Sequence, residues 1–235
     1  MCSTWSSGRR AEGFDRVPAD NMFGMPATRP MPKRIAGIAV PQDDVSRATW
    51  TWAERALPEY LLAHSVRSYC WGAAIAGEQG WSFDRRVLWT AALWHDFGLT
   101  RIPRNTMCFE IEGAELARGF LRRAGLSADD VDRVAIAIIL HMQPGVTIAD
   151  GVESVLLDQA TGVDVRGDGF ERIEAINESV VDAFPRRAFD RHFLAAIRRE
   201  TAIRRDCQSE RLLVTNDLAG WMALSPWAAD ADRAR

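Results

Sequence analysis

The stretch Ala91-Ala-Leu-Trp-His-Asp-Phe-Gly98 decides how this chain is read. It is apolar up to Trp94, then sets an imidazole beside a carboxylate, and Gly98 follows as a natural helix stop. Adjacent helical residues point about 100° apart. His95 and Asp96 can therefore share one ion only in a cleft across a helix end, with other helices completing the shell. A neutral imidazole and a carboxylate are good ligands for zinc, iron or manganese. Taken alone, a His-Asp dipeptide recurs by chance, and a histidine satisfied in the core accounts for it as well.

Working outward, Asp84 opens the helix that ends at this pair, with Val87, Leu88, Ala91, Ala92 and Leu93 at helical spacing. Upstream, Pro58 opens a helix through Leu61, Leu62, Val66, Tyr69 and Cys70 that Gly77 can end. That helix carries His64 and must pack on the His-Asp helix. Before it, Asp43 or Asp44 caps a helix through Trp52 to Leu57. The short apolar piece Ile35–Pro41 reads as an extended strap. Downstream, a helix runs from about Glu110 to Ala124 and stops at Gly125. Ser127-Ala-Asp-Asp130 starts another that reaches His141 before Pro144–Gly145. A short helix around Val152–Gly162, two longer ones around Phe170–Phe184 and Pro185–Arg205, and an apolar piece Leu212–Leu224 complete the chain. Period-two alternation is scarce, so the expected class is all-α. Residues 1–34, rich in Gly, Ser, Pro and Arg, are expected to form a flexible segment, and 35–235 a helical domain with a C-terminal helical extension.

The composition narrows the function classes. In 235 residues the net charge is −3 and 26% of side chains are charged, so no basic excess points to nucleic acid. The arginine pairs at 122–123, 186–187, 198–199 and 204–205 each stand near acids and read as solvated helix faces. No apolar run is long enough for a membrane span, and the N-terminus has no apolar signal-like core. The four cysteines make no CxxC pair, which argues against a disulfide framework and for reduced thiols in a cytoplasm. The expected partner is a small-molecule substrate, with room for a homo-oligomer. Of nine tryptophans, Trp71, Trp89 and Trp94 stand on the helices around the proposed site, mostly as core.

The order His64 … His95-Asp96 … distal Asp, all on helices, resembles the HD superfamily of metal-dependent hydrolases over roughly residues 35–205. A narrower set of blocks is similar to the cyanamide hydratase branch of that superfamily. These are Pro58…His64-Ser-x-Arg67-x-Tyr69, Ala92-x-x-His95-Asp96-x-Gly98, Phe109-Glu110-x-x-Gly113-Ala114 and Gly162-x-Asp164-Val165-x-Gly167. The resemblance implies an HD-type helical bundle that holds a divalent transition metal at His64, His95, Asp96 and a late aspartate. Thr161 stands where the commonest superfamily register puts that aspartate. Asp158 and Asp164 flank it, and Asp164 is preferred because it belongs to the Gly-x-Asp-Val-x-Gly block. In two-metal relatives a histidine occupies the position of Phe109; phenylalanine cannot ligate, so one ion is expected, zinc or iron first and manganese next.

Asp96, His141 and Glu110 are the expected catalytic residues, Asp96 while also holding the metal, and Arg67 is a further candidate. His141, freed from a second metal, can donate a proton to substrate or orient water, or can simply cap a helix. Glu110 can support a ligand histidine. Arg67 either stabilises anionic charge or, by slight preference, pairs with an acid. His192 reads as structural or surface. The activity implied is a hydro-lyase reaction in which metal-bound hydroxide adds to cyanamide or another small nitrile, giving urea or an amide. The alternatives are a phosphohydrolase acting on a nucleotide or other phosphomonoester, with Arg67, Arg101 and Arg104 as candidate phosphate contacts, and a metal-binding domain without turnover.

Overall fold

The computed structural model describes residues 29–101 and 106–227. Ten helices follow one another among them: α1 (Asp44–Ala56), α2 (Glu59–Gln79), α3 (Arg85–Trp94), α4 (Phe109–Arg123), α5 (Ala128–Leu140), α6 (Val152–Arg166), α7 (Glu174–Ala183), α8 (Phe189–Ile203), α9 (Gln208–Glu210) and α10 (Leu218–Leu224). The only strands among the described residues are β1 (Arg34–Ile35) and β2 (Ile38–Ala39), paired antiparallel. The expected strap is thus a small hairpin, and it buries Ile35 and Val40 against the helices. Among the described residues, no helix is long and apolar enough to cross a membrane.

Three helices form the centre. In α2 every residue from Leu61 to Gly72 is buried; in and after α3 the same holds from Val87 to Leu99. A helix apolar on all sides belongs in the interior, and α2 packs against α3 and α6 while α5 covers α3 and α6. Asp43 caps α1 through its side chain, Asp84 caps α3 and Ser127 caps α5, each accepting backbone N–H groups of the first turn. Trp71, Trp89 and Trp94 are buried as expected.

Several boundaries differ from expectation. The second helix passes through Gly77 and ends at Gly80, which holds the left-handed conformation at φ 66°. Gly98 does not cap a helix. A Cβ there would overlap the Phe109 carbonyl, so this glycine permits the His-Asp turn to lie directly on the start of α4. The sixth helix continues past Gly162 to Arg166 and so contains Asp164; burial along this helix outweighs the roughly 1 kcal/mol that an interior glycine costs. The last apolar piece is split at Asp217, which adopts φ 49° before α10.

Two larger corrections concern chemistry. Cys108 and Cys207 form a disulfide that ties the start of α4 to the segment before α9, where free thiols were expected; only Cys70 is free among the described residues. Sequence pairing rules miss it because 99 residues separate the two. Arg186 and Arg204, expected on solvated faces, are buried at 6% and 1% exposure. Arg204 pairs with Glu112 and Glu200, pinning α8 to α4. Finally, residues 1–28 of the expected flexible segment lie outside the described residues. Arg29, within the same expectation, is tied down: its guanidinium pairs with Glu54 and its carbonyl accepts from the Trp50 indole at 3.0 Å.

Candidate metal centre

Each of three histidines reaches one buried point from a different helix. His64 sits in the second turn of α2. His95 ends α3 with helical backbone angles, donating its N–H to the Ala91 carbonyl. Asp96 then leaves the helix at φ −99° and ψ 6°, before a tight turn at Phe97–Thr100. That break lets two adjacent side chains face the same cleft, which an unbroken helix would not allow. His141 ends α5, and its carbonyl accepts a hydrogen bond from the Thr161 hydroxyl at 3.1 Å.

The tautomers follow from the partners. His64 Nδ1 lies 2.6 Å from Asp164 Oδ2, His95 Nδ1 lies 2.8 Å from the Ala92 carbonyl, and His141 Nδ1 lies 2.6 Å from the Ile138 carbonyl. Carboxylate and carbonyl oxygens only accept, so all three Nδ1 atoms carry protons, and each ring in its neutral form presents a bare Nε2 lone pair. Those lone pairs converge. His64 Nε2 and His95 Nε2 are 3.1 Å apart, Asp96 Oδ2 lies 3.5 Å and 3.2 Å from them, and His141 Nε2 lies 3.7 Å from Asp96 Oδ1. Asp96 Oδ2 is buried with no hydrogen-bond partner. Two facing lone pairs and an orphaned carboxylate oxygen are each unfavourable in a dry interior. A cation among them would relieve both, and His64, His95 and Asp96 offer ligand atoms close enough to hold one.

For His141 and His64 the protonation directions agree with neutral rings. Burial, then the neighbouring His95, pushes His141 down to about 4, so it stays neutral at pH 7. Burial likewise lowers His64, only partly offset by Asp164. Burial alone would lower His95 too, but the Asp96 charge more than offsets it. Asp96 resists its own burial through the adjacent His95 and falls to about 2. The walls are aromatic: His64 stacks on Phe189 at 4.8 Å between ring centres, and Phe109 meets His141 edge-on at 6.0 Å.

A protein-family model for the HD domain matches residues 61–183. The chain belongs to the HD domain family. Two cyanamide hydratases of Saccharomyces cerevisiae, DDI2 and DDI3, are each 30% identical to it over 184 residues, covering 74% of this chain and 80% of theirs. The HD match spans α2 to α7, so it contains every residue of the cluster.

Within this HD domain, Asp164 does not stand where a ligand was expected. Its carboxylate is completely buried behind the His64 ring, on the Nδ1 side. Arg67 grips both oxygens at 2.9 Å and 2.7 Å, and Arg186 adds a contact at 2.7 Å. With every lone pair committed, it orients His64 and has nothing left to offer the cleft. Arg67, the slightly preferred acid-pairing reading, is the partner that holds it. Burial opposes the Asp164 charge, but these two guanidinium groups keep it well below the usual carboxylate range. Asp158, the other candidate, lies outside the cluster; burial raises it to about 6.

His141 borders the cluster, and its Nδ1 faces the Ile138 carbonyl rather than the cleft. Glu110 was expected to support a ligand histidine, yet those supports are Asp164 and two backbone carbonyls. Glu110 instead lines a cleft beside the Cys108–Cys207 bridge, with one oxygen unpartnered and burial raising it to about 7. The signal for His141 was present in the sequence as a histidine one residue past an apolar helix. His192 stacks on Tyr60 at 5.2 Å, away from the cluster. Arg104 lies outside the described residues.

Proposed function

We infer that this HD protein is a metal-dependent hydratase that adds water to a small nitrile, with cyanamide converted to urea as the reference reaction. The observation that carries the reading is the convergence of the His64 and His95 Nε2 atoms with the orphaned Asp96 Oδ2 on one dry point, with His141 Nε2 3.7 Å from the other Asp96 oxygen. His64, His95, Asp96 and His141 would hold the ion, a nitrogen-rich set that suits zinc or iron before manganese. Phe109, in van der Waals range of this shell and unable to ligate, leaves the set a single-metal one. A divalent ion in that setting supplies a Lewis acid that makes water a competent nucleophile near neutral pH.

The chain's own residues do the rest. Asp164 and the Ala92 and Ile138 carbonyls fix the three rings, so little reorganisation is left for the reaction. Ionised Asp96 supplies the only negative charge of the shell. Phe189, Phe193 and Phe109 exclude bulk water and leave an apolar wall that suits a small uncharged substrate. The similarity to two yeast proteins named cyanamide hydratase supports the same substrate class.

Phosphoryl transfer needs cations converging on the ion. Arg67 is consumed by Asp164, and Arg101 lies over the Phe97 ring at 5.8 Å in a separate cavity. Neither of these two is left for that task.

The deciding experiment is elemental analysis of the purified protein, followed by assays with cyanamide and with a nucleotide panel. The expected result is a bound transition metal, urea release from cyanamide, and loss of both in His95→Ala. Phosphate release from nucleotides without action on cyanamide would overturn the substrate. Failure to bind any transition metal would overturn the centre.

A further inference from the structure

A second cavity lies across the turn that carries His95 and Asp96. It has a volume of 1430 Å³ and opens between α1, α4, α8 and the Phe97–Thr100 turn. None of His64, His95, Asp96 or His141 lines it.

Its floor is aromatic. Trp52 and Trp94 stack with ring centres 3.5 Å apart, Phe97 meets Trp52 edge-on at 4.7 Å, and Phe120 closes the set at 5.9 Å. Its rim is cationic: Arg47, Arg55, Arg101, Arg123 and Arg199, with no aspartate or glutamate among the described lining residues. Arg47 pairs with exposed Asp44 at 3.1 Å. Arg199 spends one N–H on the Leu99 carbonyl at 2.7 Å, which leaves its charge uncompensated. Arg101, Arg123 and Arg199 make no ion pair among the described residues.

In a chain of net charge −3, one-sign charge gathered around an apolar hollow is unfavourable on both counts unless something answers it. Water answers the charges but not the aromatic floor. A molecule with an apolar body and a single anionic head answers both. Guanidinium groups pair a carboxylate bidentately and stack on rings, as Arg101 does on Phe97.

We propose that this cavity binds an amphipathic organic carboxylate, its aromatic body on the Trp52–Trp94–Phe97–Phe120 floor and its carboxylate among Arg101, Arg123 and Arg199. The site does not depend on the metal centre.

The test is calorimetric titration of the full chain with 2-naphthoate and with its uncharged isostere 2-naphthamide. Saturable one-to-one binding of naphthoate is expected, with naphthamide about tenfold or more weaker. Arg123→Gln/Arg199→Gln is expected to weaken naphthoate about tenfold or more. Arg122→Gln/Arg198→Gln, which removes two exposed neighbours outside the cavity, is expected to leave it unchanged. All four positions are exposed, so both variants should keep the parent melting curve. No saturable binding, equal binding of the amide, or equal loss in the neighbouring pair would overturn the proposal.

Discussion

The Nδ1 proton of His64 is held by Asp164 Oδ2 at 2.6 Å, from inside a cage built by Arg67 and Arg186. This turns an expected ligand into the support of a candidate ligand. Asp164→Asn leaves two buried guanidinium groups without their counter-charge, and breaking a buried pair by removing one partner costs about 3–5 kcal/mol. The carboxyl is held below its unfolded value. Its contribution is therefore complete above about pH 4 and is lost as the pH falls through the folded value. Denaturant melts at neutral pH should show the variant destabilised, with the gap to the parent closing in strong acid. Metal affinity should fall about 10–100-fold, as for other losses of a histidine support. A variant as stable and as tight as the parent would remove Asp164 from this role.

His141 and Asp164 make opposite forecasts for the fourth ligand. His141→Ala deletes a bare Nε2 that lies 3.7 Å from Asp96 and disturbs no ion pair of the cage. It should lower metal occupancy sharply while destabilising the metal-free protein less than Asp164→Asn does, since it breaks no buried ion pair. Elemental analysis and a metal titration read this directly. Full occupancy in His141→Ala would return the fourth position to another group.

The all-helical class and the His64–His95–Asp96 triad were legible because both depend on local pattern: apolar spacing, caps, and a His-Asp pair at a helix end. The distal position was not. One residue of helix rotates a side chain about 100°, and continuing α6 past Gly162 decides that Asp164 points behind His64. Glycine suggested an end there, while the burial of Leu156, Leu157, Ala160, Val163 and Val165 keeps the helix going. The Cys108–Cys207 bridge and the buried Glu112–Arg204–Glu200 cluster were likewise invisible, since each joins segments far apart in sequence. An arginine pair such as Arg204–Arg205 looks uniform until packing buries one member and exposes the other.

Asp158 supplies a test of pH dependence outside the centre. Burial raises its carboxyl to about 6, above the unfolded value near 3.9. The folded chain thus binds the extra proton between those limits, and stability falls as the pH rises through them. Asp158→Asn removes the penalty. With the side chain partly in solvent, the gain is about 1 kcal/mol at pH ~7.5 and close to nothing below pH ~4. Urea melts at the two pH values give the comparison; an equal effect at both would show that charge burial is not the cause.

The Cys108–Cys207 bridge closes 99 residues of chain, from the start of α4 to the segment before α9. Cross-linking a loop of that length removes denatured-state freedom worth up to about 4–5 kcal/mol in the chain-entropy model. The Arg204 ion pairs join the same two regions in the folded state, so the fold should survive loss of the bridge but with a smaller margin. Cys108→Ser/Cys207→Ser should therefore melt earlier than the oxidised parent and match the parent in a thiol reductant. Since Cys108 precedes Phe109, whose carbonyl abuts Gly98, metal affinity should fall with stability if the bridge also steadies the His-Asp turn. Mass spectrometry under non-reducing conditions establishes the bond first; a parent insensitive to reductant, with both thiols free to alkylate before treatment, would show that the bridge does not form in solution.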